Sequence, residues 1–179
     1  MNNLLNYFTE VELKIISDMK DLHLKCTVIV KELFKDKKDK AGHPYIWHLF
    51  RVSNRLELEI EKIAGLLHDV LEDTEVTEND LLEVGIPQEI IDIVKIVTHD
   101  KIDKSNMTKE EKLKLYNAEI EKVINSGNIH AIRLKEADMS DNYDLDRIKE
   151  LPQDKQEWFH QKYGKQLIKL RKVKGEIKW

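Results

Sequence analysis

Ala64-Gly65-Leu66-Leu67-His68-Asp69-Val70-Leu71-Glu72-Asp73-Thr74 is the stretch whose reading decides the fold. Leu66, Leu67, Val70 and Leu71 recur at the spacing of a helix that faces a core. His68, Asp69, Glu72 and Asp73 interrupt that apolar run with groups that are costly to bury without partners. Read as one helix over roughly 59–72, the segment sets His68 one turn before Glu72, and Asp69 one turn before Asp73. Residues four apart share a helix face. The stretch therefore offers a His-Asp pair and, one turn on, an acidic pair. Imidazole and carboxylate oxygen together suit Mn2+, Fe2+ or Zn2+. Two ligands do not complete a site, so the others must come from other helices.

Two further polar intrusions qualify. His48 lies inside the apolar turn Tyr45-Ile46-Trp47-His48-Leu49, and Asp138 stands one turn before Asn142 in Lys135-Glu136-Ala137-Asp138-Met139-Ser140-Asp141-Asn142. Together these would supply two nitrogens and two oxygens, leaving positions on an octahedral ion for water and substrate. Spacing alone leaves a plainer reading open, in which His48 is an ordinary partly buried histidine. His99-Asp100 repeats the dipeptide and reads as a helix terminus. Asp141 and Asp144 read as solvated, and the run 35–40 as a charged loop.

The rest of the chain frames these positions. Its 179 residues suit one domain spanning 1–179, with 41% hydrophobic and 36% charged residues. Leu, Ile, Glu and Lys dominate, with six Gly and three Pro, which predicts an all-α fold. Thr9 and Glu12 form a capping box opening a first helix, with Val11, Ile15, Ile16 and Met19 on one face. His43-Pro44 opens the next. Thr77 and Asp80 open a short helix ending at Gly85, and Pro87 opens one with Ile90, Ile91, Val94 and Val97 at helical spacing. Thr108 and Glu111 open a helix running to Gly127, followed by helices over 129–142 and 153–174. The segment 100–107 reads as a loop. A net charge of −4 argues against electrostatic nucleic-acid binding. The single cysteine, Cys26, excludes a disulfide framework, and no apolar run suffices to span a bilayer. The expected setting is cytoplasmic, with neither nucleic acid nor membrane as partner.

The order His, His-Asp, Asp resembles the HD-domain phosphohydrolase superfamily, and within it the (p)ppGpp hydrolase branch: the hydrolase half of RelA/SpoT proteins and their small single-domain relatives. The segment 42–52, GHPYIWHLFRV, is similar to that family's G-x-P-Y-x-x-H-P-x-x-V. AGLLHDVLEDT, 64–74, is close to its A-x-L-L-H-D-x-x-E-D-T, and RLKEADMSDNYDLDRI, 133–148, is similar to its K-L-A-D-x-x-x-N. The likeness covers about 38–148, with N- and C-terminal helices expected to pack on that core. It implies metal ligands His48, His68, Asp69 and Asp138, usually holding Mn2+, with Fe2+, Ni2+, Zn2+ or Mg2+ as other candidates. It implies that Glu72 and Asp73 position or activate the attacking water, and that Asn142 lines the nucleotide site. It also implies that Tyr116 contacts a substrate phosphate and that Lys40 offsets phosphate charge.

The chain departs from the pattern in three places. The family's Arg-Lys-Ser-Gly reads Asp39-Lys40-Ala41-Gly42, so the Arg that packs on guanine is missing. The Pro after the ligand His is Leu49, and the Leu of K-L-A-D is Glu136. The resemblance thus implies a metal-dependent phosphohydrolase acting on a nucleotide-like phosphate or pyrophosphate ester, with (p)ppGpp 3′-pyrophosphohydrolase as the leading case. An HD nucleotidase or phosphatase on another nucleotide, or an inactive metal-binding regulatory module, remain the alternatives.

Overall fold

Capping signals place most of the element boundaries in the computed structural model, which describes residues 2–39, 42–99 and 101–175. The described residues are helical with no strand; one isolated bridge joins Lys38 to Pro44. The all-α expectation holds. The chain folds as two compact units, Met1–Thr98 and His99–Trp179.

The first unit begins with a single 3-10 turn, Asn3–Asn6, then α1 (Glu10–Asp18), α2 (Leu22–Leu33) and α3 (Ile46–Asn54). It continues with α4 (Glu59–Leu67), α5 (Val70–Asp73), α6 (Glu78–Glu83) and α7 (Gln88–Val97). Thr9 and Thr77 make the expected capping boxes with Glu12 and Asp80. Helix α2 is absent from the sequence expectation, although Asp21 caps it and it buries Cys26, Ile29 and Val30. On α1 only Ile16 is fully buried. Val11 and Ile15, on the same face by spacing, are 69% and 57% exposed.

The expected helix over 59–72 is interrupted. Helix α4 stops at Leu67, and Asp69 takes φ −97° and ψ −2° before α5 begins. The physical cause lies in His68. Its Nδ1 donates to the Gly65 carbonyl at 2.7 Å, the acceptor that a continuing helix offers to the amide four residues on. The turn resumes when the Asp73 amide bonds the Asp69 carbonyl at 2.9 Å.

Helix α4 packs against α2, α3 and α7. Its Ile63, Ala64, Leu66 and Leu67 are buried, as are Leu49 and Val52 of α3 and Ile91 and Val94 of α7. Gly65 lets α3 and α4 approach closely. A Cβ there would stand 3.0 Å from the Ser53 Cα.

The second unit comprises α8 (Lys109–Asn125), α9 (Ile129–Asn142), the short α10 (Leu145–Ile148) and α11 (Gln153–Val173). Thr108 and Glu111 form the expected capping box, and Gly127 follows α8 at φ +65°. Helix α11 packs on α8 and α9. Phe159, Tyr163, Leu167 and Leu170 are buried, with Ile120, Val123, Ile132 and Leu134.

Candidate metal centre

Helix packing in the first unit brings three of the sequence-expected ligands together. His48 rides on α3, and His68 and Asp69 occupy the break between α4 and α5. One ligand atom from each lies within 4.8 Å of the other two. Both histidines are 4% exposed. Their rings meet edge to face with centroids 5.2 Å apart. The Asp69 Oδ2 is 3.1 Å from His68 Nε2 and 3.7 Å from His48 Nε2. It also accepts a 2.6 Å bond from the Tyr45 hydroxyl.

The donor chemistry fits a cation. A carbonyl can only accept, so the 2.7 Å contact with Gly65 places the His68 proton on Nδ1. In the neutral imidazole Nε2 then carries a lone pair, and it faces a carboxylate oxygen at 3.1 Å. Two acceptors at that distance call for a positive centre. A buried N,N,O set suits a divalent metal, and the Gly65 and Tyr45 bonds are the outer contacts that orient such ligands.

Of the acidic pair, Asp73 is engaged by Lys37, whose Nζ also lies 4.1 Å from the Tyr45 ring centroid. Glu72 is half-buried. Asp39 closes a loop: its Oδ1 accepts from the His43 amide at 3.0 Å, and its own amide donates to the His43 carbonyl at 2.8 Å. Gly42 completes that turn at φ +89°, a conformation that favours glycine. Lys40, expected on the substrate, lies outside the described residues.

Asp138, Asn142 and Tyr116 belong to the second unit. Asp138 is 8% exposed, and both its oxygens are bonded: Oδ1 accepts from Asn142 Nδ2 at 2.6 Å, and Oδ2 from Lys135 Nζ at 3.0 Å. Lys135 also lies 3.0 Å from His99 Nε2, and His99 Nδ1 is 3.0 Å from Glu119 Oε2. Burial pushes the Glu119 carboxyl up, but the His99 hydrogen bond with nearby positive charge outweighs it and holds the group below the usual range. Tyr116 is buried, and its hydroxyl has no hydrogen-bond partner among the described residues. Burial first, then Tyr163, Asp138 and Glu119, raise its pKa well above the ordinary phenol value.

These geometries agree with what the chain is similar to. No family model matches it. A protein of Mycoplasma pneumoniae named as a probable guanosine-3′,5′-bis(diphosphate) 3′-pyrophosphohydrolase is 32% identical over 119 residues, 63% of this chain. The guanosine-3′,5′-bis(diphosphate) 3′-pyrophosphohydrolase of Borreliella burgdorferi is 36% identical over 92 residues, 48% of this chain. The chain is thus similar to part of proteins named as guanosine-3′,5′-bis(diphosphate) 3′-pyrophosphohydrolases. It spans only 16% and 14% of the length of these two relatives. A solved structure, described as a metazoan ortholog of SpoT that hydrolyzes ppGpp, shares the fold. Its TM-score is 0.62 at 22% identity, with 89% of this chain and 98% of that one covered.

The structure also brings in residues beyond the expected ligand set. Tyr45 lies inside a matched block, and its position three residues before His48 is the signal that could have marked it as a partner of Asp69. Lys37 sits in a charged run with no such signal, and only folding places it on Asp73. Asp141, expected solvated, is 1% exposed because Arg147 reaches back to its Oδ2 at 2.7 Å. Asp144 instead caps α10. Glu136, which replaces the branch's Leu, is bonded by Ser140, Arg171 and Lys174, tying α9 to α11.

Proposed function

We propose that the chain is a divalent-metal-dependent hydrolase of a phosphorylated nucleotide, and that the bond it breaks is the 3′-pyrophosphate ester of (p)ppGpp. The observation that carries this reading is the buried cluster of His48, His68 and Asp69, with a nitrogen lone pair aimed at a carboxylate oxygen. The names of the relatives support the substrate. The motif adds Asp138 as the fourth ligand and Mn2+ as the ion. When bound, the ion supplies a water of lowered pKa and positive charge for a phosphoryl oxygen.

The chain's own residues do the rest. Tyr45 holds Asp69 in place through its hydroxyl. Glu72 takes the proton of the attacking water as the new P–O bond forms. Asp73, paired with Lys37, anchors the turn that carries Glu72. Tyr116 stays protonated at neutral pH, and its hydroxyl donates to a substrate phosphate oxygen. Asn142 lines the nucleotide, and Lys40 offsets phosphate charge. The leaving 3′-oxygen is protonated, giving pyrophosphate and a nucleotide with a free 3′-hydroxyl.

One observation favours a second reading. Asp39 replaces the Arg that packs on guanine, and it is committed to closing the 39–43 loop. An HD-type phosphohydrolase acting on a different nucleotide meets that constraint. Hydrolysis of ppGpp beside other 3′- and 5′-phosphorylated nucleotides, with Mn2+ supplied, separates the two. Turnover of ppGpp is expected; turnover of another nucleotide alone selects the second reading, and turnover of none by metal-loaded protein refutes both.

A further inference from the structure

In the second unit, five polar side chains from two helices and one loop form a continuous chain. Glu119 of α8 meets His99, which follows α7; His99 meets Lys135 of α9, Lys135 meets Asp138, and Asp138 meets Asn142. The links measure 3.0, 3.0, 3.0 and 2.6 Å. The proton placement follows from the end groups. A lysine ammonium has donors only, so His99 Nε2 accepts from Lys135. The imidazole proton then sits on Nδ1 and is donated to Glu119 Oε2. The direction is set along the whole chain: Asp138 accepts, Lys135 donates both ways, His99 accepts and donates, and Glu119 accepts.

We propose that His99 and Glu119 are positioning residues that fix Lys135, and through it the orientation of the Asp138 carboxylate. This rests on the reading of Asp138 as a metal ligand. Lys135 is 4% exposed, and a buried ammonium is tolerated only with its donors satisfied. Without a second acceptor, Lys135 would settle fully on Asp138 and compete with a metal for its oxygens. His99 supplies that acceptor. No motif of the hydrolase branch carries this role. The residues appear in the sequence as a repeated His-Asp dipeptide and an unremarked glutamate.

The test uses the full chain and Mn2+ alone as probe, read by a direct binding titration with a thermal melt of each protein. His99→Leu removes both hydrogen bonds, and His99→Gln keeps one acceptor and one donor. The expected result is Mn2+ affinity weakened on the order of 10-fold in His99→Leu, the lower end of the range for groups that orient ligands. His99→Gln should recover most of that loss, with both variants cooperatively folded. A mere packing role would move the melts without this affinity pattern. If His99→Leu does not fold, Glu119→Gln, which keeps shape and removes the charge, is expected to weaken affinity in the same direction. Wild-type affinity in His99→Leu, or no recovery in His99→Gln, overturns the proposal. Absence of Mn2+ binding by the wild-type chain, or wild-type affinity in Asp138→Ala, instead overturns the ligand reading on which it rests.

Discussion

Gly65→Ala tests whether the close approach of α3 and α4 builds the metal cluster. The added Cβ would lie 3.0 Å from Ser53 Cα, 3.3 Å from Ser53 N and 3.0 Å from Leu56 Cδ1. The leucine methyl can rotate away, but the Ser53 backbone cannot. Relaxing to ordinary carbon contact at about 3.5–4.0 Å requires the helices to part by roughly 0.5 Å. Overpacking of this kind costs about 1–3 kcal/mol, and backbone contact places it in the upper half. Alanine in a helix interior returns about 1 kcal/mol over glycine. The net loss is then about 1–2 kcal/mol, a fall of about 2–8 °C in Tm for a chain of this size. His48 rides on α3 and His68 ends α4, so the same displacement stretches the ligand set. Mn2+ affinity should weaken on the order of 10-fold, as for other changes that disturb ligand orientation. A thermal melt and an Mn2+ titration on the same sample read both effects. A variant that is more stable than wild type, with unchanged Mn2+ affinity, would refute the reasoning.

Asp69→Ala removes the carboxylate that faces both histidines and should abolish Mn2+ binding and hydrolysis; normal turnover by the metal-free variant would sink the metal-dependent reading. Glu72→Gln should keep Mn2+ affinity while the rate falls by about two to four orders of magnitude, and an unchanged rate would move the proton transfer elsewhere. Asp80 carries a pH-dependent share of stability. Burial raises its pKa, but hydrogen bonds from Thr77 and Asn3 outweigh this and leave it below the usual value. A depressed carboxylate stabilises the fold above the ordinary aspartate pKa of about 4, and that share is lost as pH falls through the folded value. Asp80→Asn should therefore cost about 1–2 kcal/mol at neutral pH in urea unfolding, with the gap closing on acidification. A gap of constant size would show that charge is not involved.

The sequence by itself determined the helical class, most helix starts and the identity of the chemical groups. Thr9, Thr77 and Thr108 announce their helices because a cap is satisfied within three residues, a range that local sequence encodes. The His-Asp pair was legible because imidazole and carboxylate are costly inside an apolar run. Interactions beyond that range were not legible. The break at His68 depends on a side chain taking its own helix's carbonyl. The cover over α1 was not legible because apolar periodicity says which residues share a face, and not whether another helix covers it. Asp141 looked solvated until Arg147, one helix on, folded back over it.

The same division runs through the site. Sequence named His48, His68 and Asp69 as candidates. Only tertiary packing, with α3 drawn against α4 at Gly65, set their ligand atoms within 4.8 Å and aimed a nitrogen lone pair at a carboxylate oxygen. Tyr45, Lys37 and the Glu119–His99–Lys135 chain were decided there too. Residues distant in sequence become partners only when burial makes an unpaired polar group too costly to leave alone.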